Sequence, residues 1–298
     1  MIRFVTTDMH LYTHEIFFRH YNSRIQGGVV VSGYHEVAVK ERFDNEIVIM
    51  CDIERFSSKE IEVLVKIYER ISERGAACVL NDPSKVMRRF ALAQALREAE
   101  INKHGIYRPP ITADLKIQFP VFVRNEFEHD GPCTPLLHSV PEVQRELANI
   151  NLIRRESFSP VVIEFVDTRD SPHAQFRKYG AFNVCGIIIP QHLDFSNHWV
   201  VKYSPVKTFK EDALETSYLD SNKYQDIVRR VFQIAAIDYG RIDFAALDDG
   251  IEVFEINTNP MILKRSEIAD EGRKQVNSEF VDRYANALNK LVEAETNH

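Results

Sequence analysis

The sequence predicts an α+β protein that opens with a small α/β unit, and three observations carry that expectation. Residues 46–80 run strand, helix, strand. A paired-proline break, HGIYRPPITAD at 104–114, then interrupts the chain. Beyond it, strand-type runs and helices alternate irregularly, up to a long hairpin at 239–260. A strand, a helix and a strand in so short a span imply a right-handed parallel crossover. The later runs are too irregular for one continuous parallel sheet.

The elements follow in order. VVVSGY and EVAV, within 29–39, look like strands, and EIVIMCD at 46–52 is an apolar run of strand type. Ser57 and Glu60 have capping-box spacing, with Ile61, Leu64, Tyr68 and Ile71 on one helical face and Gly75 placed to stop it. AACVL at 76–80 reads as the next strand. Asn81-Asp82-Pro83 is expected to open a helix that turns Val86, Met87, Phe90, Ala91 and Leu96 inward. After the prolines, FPVFVR (119–124), PVVIEFV (160–166), CGIIIP and HWVVKY read as strands, with a helix near 141–150. A helix is expected over 222–238, where Ile227, Val231, Ile234 and Ile237 share a face, and another over 274–294. The expected units are 1–108, 109–170 and 171–298.

Composition sets wide bounds. A chain of 298 residues, 44% hydrophobic and 27% charged, is long enough for a sizeable core. A net charge of −7 without a basic run argues against nucleic acid as partner. No run of 18 apolar residues occurs and MIRFVTTDMH lacks a signal-peptide core, so the expectation is a cytoplasmic protein without a membrane partner. Cys51, Cys78, Cys133 and Cys185 show no CxxC spacing and read as reduced thiols. His10, His14 and His20 lack the HExxH spacing and read as surface or pocket-lining histidines.

The segment YGRIDFAALDDGIEVFEINTNP, 239–260, is the most informative. Asp248-Asp249-Gly250 marks a hairpin turn. A two-residue loop at Asp249-Gly250 would set Asp243 opposite Ile256. A three-residue loop with Gly250 left-handed would set Asp243 opposite Glu255, with Asn257 on the same face. Opposed carboxylates repel. A divalent cation between them reverses that sign, and Asp, Glu and an Asn carbonyl are the hard oxygen donors that suit Mg²⁺. A surface hairpin with solvated acids is the plain alternative, but it leaves the ordered string of Arg241, Asp243, Glu255, Asn257 and Asn259-Pro260 without a purpose.

That string, RID…DG…FEINTNP, resembles the C-terminal signature of ATP-grasp enzymes, in particular D-alanine–D-alanine ligases and related carboxylate–amine ligases. The resemblance implies an ATP-grasp fold, two α+β subdomains clasping ATP, preceded by the α/β unit. It implies ATP with Mg²⁺, two ions replaceable by Mn²⁺, held by Asp243, Glu255 and Asn257, and Arg241 on the tetrahedral transition state. VVIEFVDTRD (161–170) resembles the family's adenine strand and hinge. Glu164, Phe165 and Val166 would offer backbone groups to adenine, and Asp170 would reach the ribose. Arg124 stands where the family places a phosphate-binding lysine, Lys202 matches a second basic residue near the β/γ phosphates, and Arg177 and Lys178 lie where phosphate or substrate contacts arise. For Arg124 and Lys202 the alternative is exposed edge-strand protection. The family's glycine-rich lid is missing. NEFEHDGPCTPLLHS (125–139) holds only Gly131, which leaves His129 or backbone amides for the phosphates.

The implied chemistry activates a carboxylate as an acylphosphate and couples it to an amine, releasing ADP and phosphate. The partners are small acids and amines, amino acids or a peptide among them, in a monomer or a homo-oligomer. Residues after Pro260, such as Lys264 and Arg265, would border them. Two rivals share the scaffold: a kinase that phosphorylates a hydroxyl, and a non-catalytic nucleotide-binding module.

Overall fold

The computed structural model describes residues 1–153, 158–171, 174–202, 207–262 and 271–296. Its first sheet is parallel throughout. It comprises β1 (Ile2–Thr6), β2 (Val29–Gly33), β3 (Ile47–Met50) and β4 (Cys78–Leu80), in the order β2-β1-β3-β4. Helices α1 (Leu11–Tyr21), α2 (Tyr34–Val39), α3 (Ser58–Glu73) and α4 (Arg89–Glu98) accompany it. The α3 capping box forms as its sequence predicts: the Glu60 amide donates to the Ser57 hydroxyl, and the Ser57 amide to the Glu60 carboxylate at 2.7 Å. Gly75, at φ +89°, follows its end.

The second sheet is small and antiparallel, in the order β5-β7-β6: β5 (Ile106–Tyr107), β6 (Val121–Asn125) and β7 (Pro160–Glu164), with α5 (Val140–Ile153) between the last two. The third sheet holds β8 (Phe176–Val184), β9 (Ile187–Ser196), β10 (Tyr239–Leu247) and β11 (Gly250–Asn257) in the antiparallel order β11-β10-β8-β9. Helices α6 (Phe209–Ser221) and α7 (Gln225–Ala235) precede the hairpin, and α8 (Glu271–Thr296) follows it.

Two core clusters join the first and third sheets. Val5, Met50 and Leu64 pack in one cluster with Tyr179, Phe232 and Phe244. Ile2, Phe4 and Phe17 pack in the other with Phe182, Tyr239, Phe280, Tyr284 and Leu288. Asn81, left-handed at φ 63°, stitches the same seam. Its amide nitrogen donates to the Met50 and Tyr239 carbonyls at 2.8 and 2.9 Å, and its oxygen accepts the Asp238 and Tyr239 amides. The second sheet keeps a separate core of Ile111, Val121, Val123, Leu137, Val143 and Val162.

Several expectations are corrected. EVAV lies in helix α2, not a strand: Tyr34 and Val37, three residues apart, are buried, while Val39 is 74% exposed. The helix expected at 81–83 begins only at Arg89, because Asp82 accepts both the amide and the hydroxyl of Ser84 and holds a turn there. Its buried face is Leu92, Ala93 and Leu96, and Ala91 is exposed. HWVVKY forms no strand among the described residues. Ser196 Oγ accepts the His198 amide, and His198 Nδ1 the Val200 amide, so local bonds replace a ladder. The helix expected over 222–238 is only α7, because left-handed Asn222 and Ala236 bound it. Strand β8 and helix α6 carry no counterpart in the sequence reading, although Thr208 and Glu211 form a second capping box.

His14 is buried, not a surface group, and packs on Phe4 with ring centroids 4.4 Å apart. Burial lowers its pKa from 6.5 to about 4, against the opposing pull of Asp52. The unfolded chain therefore binds the proton first. Stability contributed by neutral His14 is complete above pH 6.5 and is lost as pH falls toward 4. The expected loss is roughly 3 kcal/mol. Urea denaturation at pH 7 and pH 5 should show a smaller difference in His14→Phe than in the parent.

Candidate active site

The hairpin reaches the register that sets Asp243 opposite Glu255, but by another route than a three-residue loop. Leu247 pairs with Gly250 across the two-residue loop Asp248-Asp249, and Gly250, at φ +157°, is far from left-handed helical geometry. The register shifts between Asp243 and Phe244, since Phe244 pairs with Val253 while Asp243 pairs with Glu255. Phe254 is the extra residue of a β-bulge, a device that re-aims side chains next to functional sites. Beyond it Arg241 lies opposite Asn257, so Arg241, Asp243, Glu255 and Asn257 share one face.

Each carboxylate is compensated by cations of the chain itself. Glu255 Oε2 accepts Nη2 of Arg89 at 2.8 Å and Nη2 of Arg124 at 3.2 Å, with His129 Nδ1 at 3.5 Å. Burial alone would raise the Glu255 carboxyl, but Arg89, His129 and Arg124 outweigh it and hold it well below the usual carboxylate range. Asp243 takes Nε of Arg241 at 3.0 Å on Oδ1 and faces Nζ of Lys178 at 3.4 Å on Oδ2. The Arg241 guanidinium also reaches the Met261 carbonyl. Asn257 Oδ1 accepts the Asn259 amide at 2.8 Å.

A cavity of about 510 Å³ lies between the third sheet and the second, bordered by Asp243, Lys178 and Glu255 on one side and Arg124, Ile163 and Phe165 on the other. Arg124 is 8% exposed, so it is not an edge-protecting surface residue. Burial and neighbouring Arg89 lower its guanidinium to about 10, leaving it charged at neutral pH. Lys202 also lines the cavity. Trp199, the sole tryptophan, sits there against Phe122 and Phe165 at centroid distances of 5.0 and 5.9 Å.

The hinge residues line the cavity too, though much of Glu164 and Phe165 is committed to the fold. Their amides donate to the Gly105 and Pro120 carbonyls, both at 2.9 Å. The buried Glu164 carboxylate accepts the Gly105 and Gln118 amides and the Tyr107 hydroxyl. This leaves carbonyl groups and Val166 for a ligand edge. Asp170 is not brought to the cavity: it is exposed and pairs with Arg177 at 2.8 Å. Lys264 and Arg265 lie outside the described residues.

The segment after β6 carries His129 across to two partners, Glu54 Oε1 at 3.2 Å and Glu255. Burial would depress the imidazole, but Glu255 and Glu54 outweigh it and hold its pKa above 6.5. Glu54 in turn accepts the Thr258 amide at 3.1 Å and its hydroxyl, while Asn259 bonds Thr6 and Thr13. The turn after β3 thus pins the end of the hairpin. Arg89, Glu54 and Thr258 had no motif to expose them, since they come together only through the meeting of the first and third sheets.

Among the described residues no group of three or more His, Cys, Asp or Glu side chains could enclose a metal ion. Two opposed carboxylates and an amide oxygen nevertheless fit Mg²⁺, which keeps several ligands from water and phosphate rather than needing a protein cage.

Comparison of the sequence with protein-family models and with curated proteins finds no match. Comparison of the fold does. D-Alanine–D-alanine ligase from Bacillus anthracis, complexed with ATP, superposes with a TM-score of 0.53 at 13% identity over 97% of both chains. A RimK domain ATP-grasp protein from Sphaerobacter thermophilus gives 0.55 at 12% identity, over 97% of this chain and 98% of that one. The ATP-grasp ligase PsnB gives 0.50 at 11%, over 94% and 99%. The chain has the ATP-grasp fold, as found in these proteins.

Removing the Glu255 charge should destabilise the protein, because Arg89 and Arg124 would remain buried without their shared counter-ion. Glu255→Gln is expected to cost about 2 kcal/mol in urea unfolding, somewhat under a fully buried pair because Glu255 keeps access to the cavity.

Proposed function

We propose that this chain is an ATP- and Mg²⁺-dependent ligase that activates a carboxylate as an acylphosphate and couples it to an amine, releasing ADP and phosphate. The observation that carries this is the convergence of Asp243 and Glu255, through the bulge at Phe254, onto a cavity whose other wall is the 164–166 hinge. The ATP-grasp fold supports it. Acids or amines of amino-acid or peptide type suit the reading.

In this reading the aromatic groups of Phe122, Phe165 and Trp199 hold the adenine, and the Val166 peptide meets its edge. Arg124, Lys178 and Lys202 neutralise the triphosphate. Asp243 and Glu255, with Asn257, would hold Mg²⁺, which when bound supplies charge neutralisation on the transferring phosphoryl group. Arg241 is fixed by Asp243 and the Met261 carbonyl, so its remaining donors are pre-aimed at an oxyanion formed when the amine attacks. His129 and the 126–132 segment cover the site and keep water from the activated acid. No side-chain nucleophile is required, since positioning does the work. The 109–170 unit closing on the 171–298 unit completes the proposed domain scheme.

The decisive experiment is a release assay for ADP and phosphate over a panel of acids, with and without amines. Phosphate release that requires both is expected, whereas transfer of phosphate to a hydroxyl acceptor would replace the ligase with a kinase. Arg241→Met is expected to lower kcat by about 10²-fold or more with ATP binding kept. Binding itself should alter the fluorescence of Trp199, read directly as the only indole, and an unchanged spectrum at saturating Mg·ATP would remove the proposed adenine slot.

A further inference from the structure

Resting on the nucleotide and metal assignment above, we infer that this site takes one divalent ion per nucleotide, because Arg89 and Arg124 occupy on Glu255 the coordination that a second ion would need. In the common syn,syn bridge a carboxylate gives one oxygen to each of two ions. A carboxylate oxygen has two lone-pair positions, and Oε2 of Glu255 already accepts two guanidinium donors, at 2.8 and 3.2 Å. His129 Nδ1 stands 3.5 Å from the same oxygen. The other oxygen, Oε1, remains for an ion shared with Asp243, which lies directly opposite across the strand pair.

Neither arginine is loosely placed. The Arg89 side chain is 7% exposed and Arg124 10%. Arg89 Nε donates to the Glu126 carbonyl at 3.2 Å and Nη2 to the Glu128 carbonyl at 3.1 Å, while Arg124 Nη2 shares that last acceptor at 3.3 Å. A guanidinium stays charged and cannot be coaxed off by deprotonation near neutral pH. Moving it aside for an ion would strand a buried charge and two backbone acceptors. The third donor expected for metal is also partly spent, since Asn257 Oδ1 accepts the Asn259 amide. The fixed cations Arg89 and Arg124 then supply the positive charge that a second ion would bring to the phosphates, and Arg89 acts as a positioning residue through Glu255.

Mn²⁺ counting by electron paramagnetic resonance, with a non-hydrolysable ATP analogue and purified full chain, tests this without turnover. One bound Mn²⁺ per nucleotide, with no spin-coupled pair, is expected. Arg89→Met, which keeps the volume and removes the charge, is expected to bind a second, coupled Mn²⁺. A coupled pair in the unaltered protein would overturn the inference whether or not the variant folds. A single ion in both proteins would also overturn it, since Arg89 would not then be what excludes the second. One ion without acid- and amine-dependent ADP release would sink only the ligase assignment. Two ions with such release would sink only this one, and no Mn²⁺–nucleotide binding would end both.

Discussion

Two acids facing each other across a strand pair, Asp243 and Glu255, are the constraint to which the surrounding structure answers. Left alone they would push the hairpin apart. The chain meets that repulsion from four directions: Arg89 from the start of α4, Arg124 from β6, His129 from the following segment, and Lys178 from β8. Charges drawn from the second and third sheets, and from α4, therefore meet at one hairpin. Their geometry is held by contacts within the chain itself.

The same residues tie the first sheet into the site. The turn after β3 places Asp52 and Glu54 on either side of Ile53 and sends them to different tasks. Asp52 closes on Thr6, Thr7 and Arg55, beside the ends of β1 and β3. Burial opposes ionisation of Asp52, yet the threonine donors and His10 keep its carboxyl below the ordinary value. Glu54 reaches across to Thr258 and His129. The turn after β3 thus holds the end of the strand on which Glu255 and Asn257 ride.

Much of the fold and part of the site were legible because they depend on local rules. A capping box, an alternating hairpin and the Asp–Asp–Gly turn announce themselves within a few residues, and Glu255 opposite Asp243 was one of the two registers that strand pairing left open. The bulge at Phe254 could not, because an aromatic residue in a strand carries no sign that it lacks a cross-strand partner. Helix α4 began later than its turn residues suggested, because Asp82 was used by Ser84. HWVVKY has the composition of a strand, but serine and histidine side chains capture the amides that a ladder would need. Arg89, Glu54 and Thr258 were invisible for a different reason. Their partners are distant in sequence, and no spacing rule connects an arginine at a helix start to a glutamate 166 positions later.

The seam between the first and third sheets bears on how the fold holds together. The residues Ile2, Phe4 and Phe17 share one core with Phe182 and Tyr239 of the third sheet and with Phe280, Tyr284 and Leu288 of α8. Segments far apart in sequence therefore close the same cluster, and neither sheet keeps this buried face without the other. Such shared burial makes the two sheets and α8 one cooperative unit, which opens as a whole rather than strand by strand.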